Sequence, residues 1–186
     1  MKNILLLIFI LLISSVTLAD LKYNPVQLDQ FAMTNQCPDC DLSGAVLTYK
    51  MVKNHSQANL RGTNLTGALV DSGANFSQAD FSLVKASCLD LGGANLSYAV
   101  FKGADMSSAV LNDTDMSGVD LSNAILNKAN LNNATLTKAD FRDAVLIGAS
   151  LHLANLYRSN ITPEQIQQAT TVCDAILPDG TKGKCQ

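Results

Sequence analysis

Histidine is scarce in this chain. Its 186 residues hold only two, His55 and His152. No zinc-binding spacing accompanies them, and no glycine-rich phosphate loop occurs. Charge of one sign is also missing. Thirteen basic residues face 16 acidic ones, for a net charge of −3. Loss of Lys2 with the first segment makes it −4. Mild acidity with mixed signs gives no electrostatic case for binding nucleic acid. Long apolar runs are confined to Ile4–Ile13, and nothing later is apolar enough to span a bilayer. Many serines recur, Ser77, Ser97 and Ser117 among them, but no base accompanies them to activate a hydroxyl. The expected result is no enzyme, no cofactor and no metal.

What is present is a rhythm. From Phe76 to Ile161 a large apolar residue returns every five positions for 18 repeats, with Ala86 the one small centre. Two positions before most centres sits a small residue, usually alanine (Ala94, Ala99, Ala104, Ala109). A helix turns about 100° per residue, so a period of five would spiral round it. A straight strand alternates faces, so an odd period would scatter the centres. The centres share one core only if the chain bends after each repeat. A bend of about 90° closes a coil every four repeats, and residues 20 apart then stack. Phe81, Phe101, Leu121, Phe141 and Ile161 form one inner column, and Leu91, Leu111, Leu131 and Leu151 another. At about 4.8 Å per coil the tract is roughly 22 Å long. A disordered low-complexity tract would lack this density of Leu and Phe.

From roughly Cys40 to Ile161 the chain resembles the pentapeptide repeat family, whose unit runs Ala-Asp/Asn-Leu-x-x. The resemblance implies an all-β solenoid, a right-handed quadrilateral β-helix.

Around that tract the chain divides as follows. Residues 1–19 read as a signal peptide, with Lys2, the apolar run and Thr17-Leu18-Ala19 at the cleavage point. An uncleaved membrane anchor is the alternative. No cysteine follows the cleavage point, which argues against a lipoprotein anchor. Residues 20–40 are expected to be an N-terminal cap, with a short helix over Pro25–Met33 in which Val26, Leu28 and Phe31 partly match helical spacing. A first coil exposes strand edges and core that need covering. The opening Cys37-Pro38-Asp39-Cys40, followed by Asp41-Leu42-Ser43-Gly44-Ala45, resembles that of exported family members.

In an oxidising compartment Cys37–Cys40 reads as a disulfide. A redox pair, half a metal site and two free thiols are the alternatives. The context for the first two, a βαβ pattern or a second cysteine pair, is missing. Residues 41–161 form the repeat domain, with a loop insertion near 48–57, where Leu47 to Leu60 runs three residues over. That loop carries Tyr49, Lys50, Met51, Lys53 and His55 and is a candidate interaction loop; an inert insertion is the alternative. One extra residue falls near Ser72-Gly73. Cys88 should face outward or lie at a corner, as the unpaired fifth cysteine.

Residues 162–186 are expected to form a capping helix and turn. Thr162 is the N-cap, Pro163 the first helical residue and Gln165 the partner in a capping box. Ile161 and Ile166 suit a hydrophobic staple. Ile166, Ala169 and Val172 or Cys173 would make its apolar stripe. Pro178-Asp179-Gly180 is a turn signal. A Cys173–Cys185 disulfide across it would contribute about 3 kcal/mol.

Outside the core, Asp80, Asp120 and Asp140 form a column broken by Val100, with Lys102 and Arg142 beside it. This reads as a solvated face with ion pairs. Ile125, Val145 and Ile147 instead form a small outward apolar patch, a candidate partner surface unless the C-terminal tail covers it. The functional reading is a non-catalytic exported scaffold, periplasmic or secreted, with an unidentified protein or cell-envelope partner and a homodimer left open. A DNA-mimicking topoisomerase binder, as among the quinolone-resistance members, and a secreted effector are the alternatives. The signal peptide and the surface Lys and Arg argue against the DNA mimic.

Overall fold

In a computed structural model the described residues are 24–40, 42, 46–47, 55–70 and 72–185. The expected signal peptide lies outside them, as do Tyr49, Lys50, Met51 and Lys53 of the expected loop. The regular elements are α1 (Pro25–Thr34), β1 (Val46–Leu47), β2 (Leu69–Val70) and α2 (Pro163–Gln168). Between them the chain is a coil of five-residue units joined by parallel bridges.

The bridges give the register. Asn75 pairs with Asn95, Val100 with Asp120, Val110 with Asn130 and Thr135 with Asn155, each 20 residues apart. Four units therefore make one circuit. Earlier pairs are longer. Asn59 meets Asp80 at 21 residues because the extra residue near Ser72-Gly73 lies between them. Val46 meets Leu69 at 23 because the three-residue excess before His55 lies between them.

Each unit is built alike. The centre's carbonyl accepts the N–H three residues on, as Phe76 O does from Ala79 N at 3.1 Å. The second turn residue is left-handed, whether or not it is glycine: Gln78 (φ 60°), Leu83 (59°), Tyr98 (58°), Gly118 (65°). Asn or Asp before the centre bonds the first turn residue, as Asp80 Oδ1 accepts from Ser82 N at 2.8 Å. That side-chain bond stabilises the bend. Centres and alanines point inward. Leu111 and Leu131 are fully buried, and Phe81 stacks on Phe101 with centroids 4.6 Å apart.

At the N-terminal end Asn24 caps α1 through its side chain, which accepts from Val26 N and Gln27 N. Leu28 and Phe31, three apart, point into the shaft. Val26, which only partly matches their spacing, is 72% exposed. Two residues before Leu28 is about 200° round the helix, so the two side chains cannot share a face.

The coil starts earlier than the expected residue 41. Cys37 N bonds Asn59 O, Cys40 N bonds Cys37 O, and Asp39 has φ 56°, the pattern of a repeat unit. Cys37 is thus a centre and Cys40 the next small position. Both point inward, and they are bridged.

His55 corrects the loop. Its N–H bonds Asn75 O and its carbonyl accepts from Ala58 N, so it is a repeat centre. It is 4% exposed and lies between Phe31 (centroids 4.4 Å apart) and Phe76 (5.5 Å). The insertion therefore ends before His55, and this residue offers nothing to an outside partner.

The C-terminal end holds a second correction. The repeat was expected to stop at Ile161. Instead α2 is inserted in the coil, and two more units follow it. Ser150 pairs with Thr171 and Asn155 with Ile176, each 21 apart. Val172 and Leu177 take the centre positions, and Ala175 is buried as a small position. The helix ends at Gln168, so Ala169 and Val172 lie outside it and do not form a helical stripe. The capping box of Thr162 and Gln165 is present.

Candidate functional site

The outward columns follow from the bridges. On one face Lys85, Asp105, Ile125 and Val145 stand in line. Ile125 is 39% exposed, Val145 half-buried and Ile147, two residues on from Val145, 58% exposed. The face thus turns from charged to apolar along its length. The tail borders it, with Gln168 bonding the backbone at Leu146 and Gly148, but leaves Ile125 and Ile147 exposed. Residues 181–185 fold back over the end of the coil, on Asp174–Leu177.

A neighbouring face carries Asp80, Val100, Asp120 and Asp140. The acids are engaged locally. Asp80, Asp120 and Asp140 each accept a backbone N–H two residues on. Arg142 makes a two-pronged pair with Asp140, its nearest contact 2.6 Å. Asn160 Nδ2 adds a bond at 2.7 Å. The Arg142 bond holds the Asp140 carboxyl at about 2 against the opposing effect of burial, with a smaller contribution from Asn160. Lys102 forms no ion pair among the described residues.

Glycine matters where a side chain from the previous coil needs room. Tyr98 lies over Gly118, where an added Cβ would stand 2.7 Å from the ring. On a third face Gly92 and Gly93 leave a shallow groove of about 350 Å³ beside Asp90. Asp90 again bonds its own backbone, at Gly92 N, and Ser72, Asn112 and Asp113 also line the groove.

The cysteines are placed as follows. Cys37–Cys40 is bridged and buried. Cys173–Cys185 is bridged at the surface, and Cys88 is a free, exposed thiol on a left-handed turn residue. Among the described residues one trio of potential metal ligands converges, Cys173, Asp174 and Cys185. Its two sulfurs are bonded to each other, which leaves a single carboxylate. His152 is half-buried, its Nδ1 2.9 Å from Cys173 O.

A sequence profile described as pentapeptide repeats matches eight copies, over residues 72–97, 87–127 and 124–162. The chain belongs to the pentapeptide repeat family. Several solved pentapeptide repeat proteins resemble it. HetL from the cyanobacterium Nostoc sp. strain PCC 7120, involved in heterocyst differentiation regulation, is 28% identical with a TM-score of 0.37. That match covers 79% of this chain and 65% of HetL, so this chain spans less than two thirds of that relative's length. A thylakoid-lumen pentapeptide repeat protein of Arabidopsis thaliana is 26% identical over 66% of this chain and 84% of its own, with a TM-score of 0.41. QnrB1, a plasmid-mediated fluoroquinolone resistance protein, is 20% identical over 80% and 77%, with a TM-score of 0.36. No curated protein sequence matches. The assignment rests on the repeat profile, whose matched residues lie within the bridged stretch of this pentapeptide repeat coil.

Sequence reasoning missed His55 as a centre because it searched for apolar centres alone. It also missed the left-handed turn position. The signal was available: Gly62, Gly67, Gly93, Gly103, Gly118 and Gly148 all fall there.

Proposed function

We propose that this chain is a right-handed quadrilateral β-helix acting as an exported, non-catalytic scaffold. Its working surface is the apolar end of one face, Ile125, Val145 and Ile147, and its partner is a protein of the cell envelope. The observation that carries this reading is the clustering of exposed Ile125 and Ile147 around half-buried Val145, with Ile125 and Val145 paired one coil apart. Uncovered apolar groups in register mark a contact surface. Two further features agree. The acids are engaged with their own turns. No helix among the described residues is long and apolar enough to cross a membrane.

Two measurements test the reading. Fractionation of tagged protein should place it outside the cytoplasm without Met1. Recovery only from the cytoplasm with Met1 intact would overturn the export claim. In-cell crosslinking at Asn127, beside the patch, should give a defined partner adduct, lost in Ile125→Asp/Ile147→Asp. An adduct that survives both substitutions would remove the patch from the account.

A further inference from the structure

The bridges along the coil are parallel until the last one. Ile176 pairs with Lys182 antiparallel. Here the chain turns at Pro178-Asp179-Gly180 and lays residues 181–185 along its own terminal edge. Leu177 N donates to Thr181 O at 2.8 Å, Gly183 N to Ala175 O at 2.8 Å, and Asp174 N to Gly183 O at 3.1 Å. We propose that this edge, residues 173–177, is a strand-docking slot. The chain's own segment guards it, reduction of Cys173–Cys185 releases the guard, and the same segment of a second copy can then occupy the slot.

Three observations support this. First, the fit is selective. Gly183 alone of residues 181–185 is buried, and any side chain there would run into the Val172 carbonyl oxygen. The slot requires a strand with glycine at that register, which this sequence itself supplies. Second, the guard is held lightly. Thr181, Lys182, Lys184 and Cys185 are exposed, and the ion pair from Lys182 to Asp174, 3.7 Å, lies at the surface, where such pairs contribute little. The disulfide closes a 13-residue loop, so its loss should raise opening on the order of 100-fold. Third, the two bridges differ in access. Cys185 is exposed, whereas Cys37 and Cys40 are buried.

The chemistry balances with a thiol reductant. Two R–SH convert the bridge to two protein thiols and leave as R–S–S–R. Where the reductant has attacked only once, Cys185 carries the mixed disulfide Cys185–S–S–R; the Cys173 thiolate of another copy attacks that Cys185 sulfur and forms the bridge between copies, and R–S⁻ departs and takes up a proton.

The test uses the full chain carrying Cys88→Ser and Cys185→Ser, which leaves Cys173 as its one unbridged cysteine. The probe is a synthetic peptide of residues 178–185 with its cysteine as the glutathione mixed disulfide. Mass spectrometry follows formation of the Cys173–peptide bond. Capture should be at least about tenfold faster than for the same peptide with Gly183→Val. Equal rates would reduce the reaction to unguided thiol exchange and overturn the proposal. A second arm uses the unaltered protein with dithiothreitol. Hydrogen exchange at the Asp174, Leu177 and Gly183 amides should quicken on the order of 100-fold, with the Leu131 amide unchanged. No change at the three amides would show that the bridge guards nothing.

Discussion

The two ends of the coil are closed by opposite means. At the N-terminal end a helix sits on top and closes the shaft with rings. Phe31 stacks on His55 and His55 on Phe76. At the C-terminal end the helix is inserted in the coil and works through polar groups. Gln165 Nε2 donates to Phe141 O and Ala144 O. Gln168 accepts from Leu146 N through its side chain and from Gly148 N through its backbone. The first end lacks apolar cover and gains it. The second lacks hydrogen-bond partners for an exposed ladder and gains those. A solenoid has both problems at each end, and this chain solves one by burial and the other by pairing.

Substitutions can separate these two solutions. The largest effect is expected from Phe31→Ala, about 3–5 kcal/mol for a buried ring. Urea denaturation should show it, together with faster exchange around His55. A loss under about 1 kcal/mol would mean that α1 does not close the shaft. Next comes Gln165→Ala. It leaves the Ala144 carbonyl unpaired, removes one of two bonds at Phe141 O and opens the capping box, at about 1–3 kcal/mol. Exchange should rise at the C-terminal coil and stay unchanged at the N-terminal one. Gly118→Ala probes the middle, between the two closures. Its φ of 65° and the Tyr98 ring both resist a Cβ, and about 1–2 kcal/mol should be lost. Tyr98→Ala should restore part of that loss by removing the ring.

The smallest effect is electrostatic. The Asp140 carboxyl is held at about 2, below its ordinary value. A depressed carboxyl contributes stability that is present above about pH 4 and lost as pH falls through 2. Its partner Arg142 is largely exposed, so screening limits the contribution to less than about 1 kcal/mol. Asp140→Asn should flatten the difference in melting temperature between pH 5 and pH 2 by a degree or two, as scanning calorimetry would register.

The regular coil was legible because its signal repeats. One Ala86 among large centres does not hide a period of five. The ends were harder for physical reasons. His55 is amphipathic, and between two phenylalanine rings it serves as an apolar centre. Ala175-Ile176-Leu177 is a plain repeat unit, yet α2 shifts it one residue out of phase with Ile161. A strict five-residue count therefore stops too soon. Cys37 and Cys40 read as a bridged pair, but their place inside a turn needed the register. Of the candidate site, Ile125, Val145 and Ile147 could be aligned from the period alone. That the tail leaves them exposed could not, because its path depends on the antiparallel return at Ile176.

The claim beneath all of this is that residues 20 apart meet on one inner shaft. Methyl-to-methyl NOE spectra on selectively labelled leucines test it directly. Leu111 should give a strong cross-peak to Leu131, and Leu131 to Leu151, as rungs about 5 Å apart require. Absence of both cross-peaks, with the three methyls open to solvent, would contradict the coil.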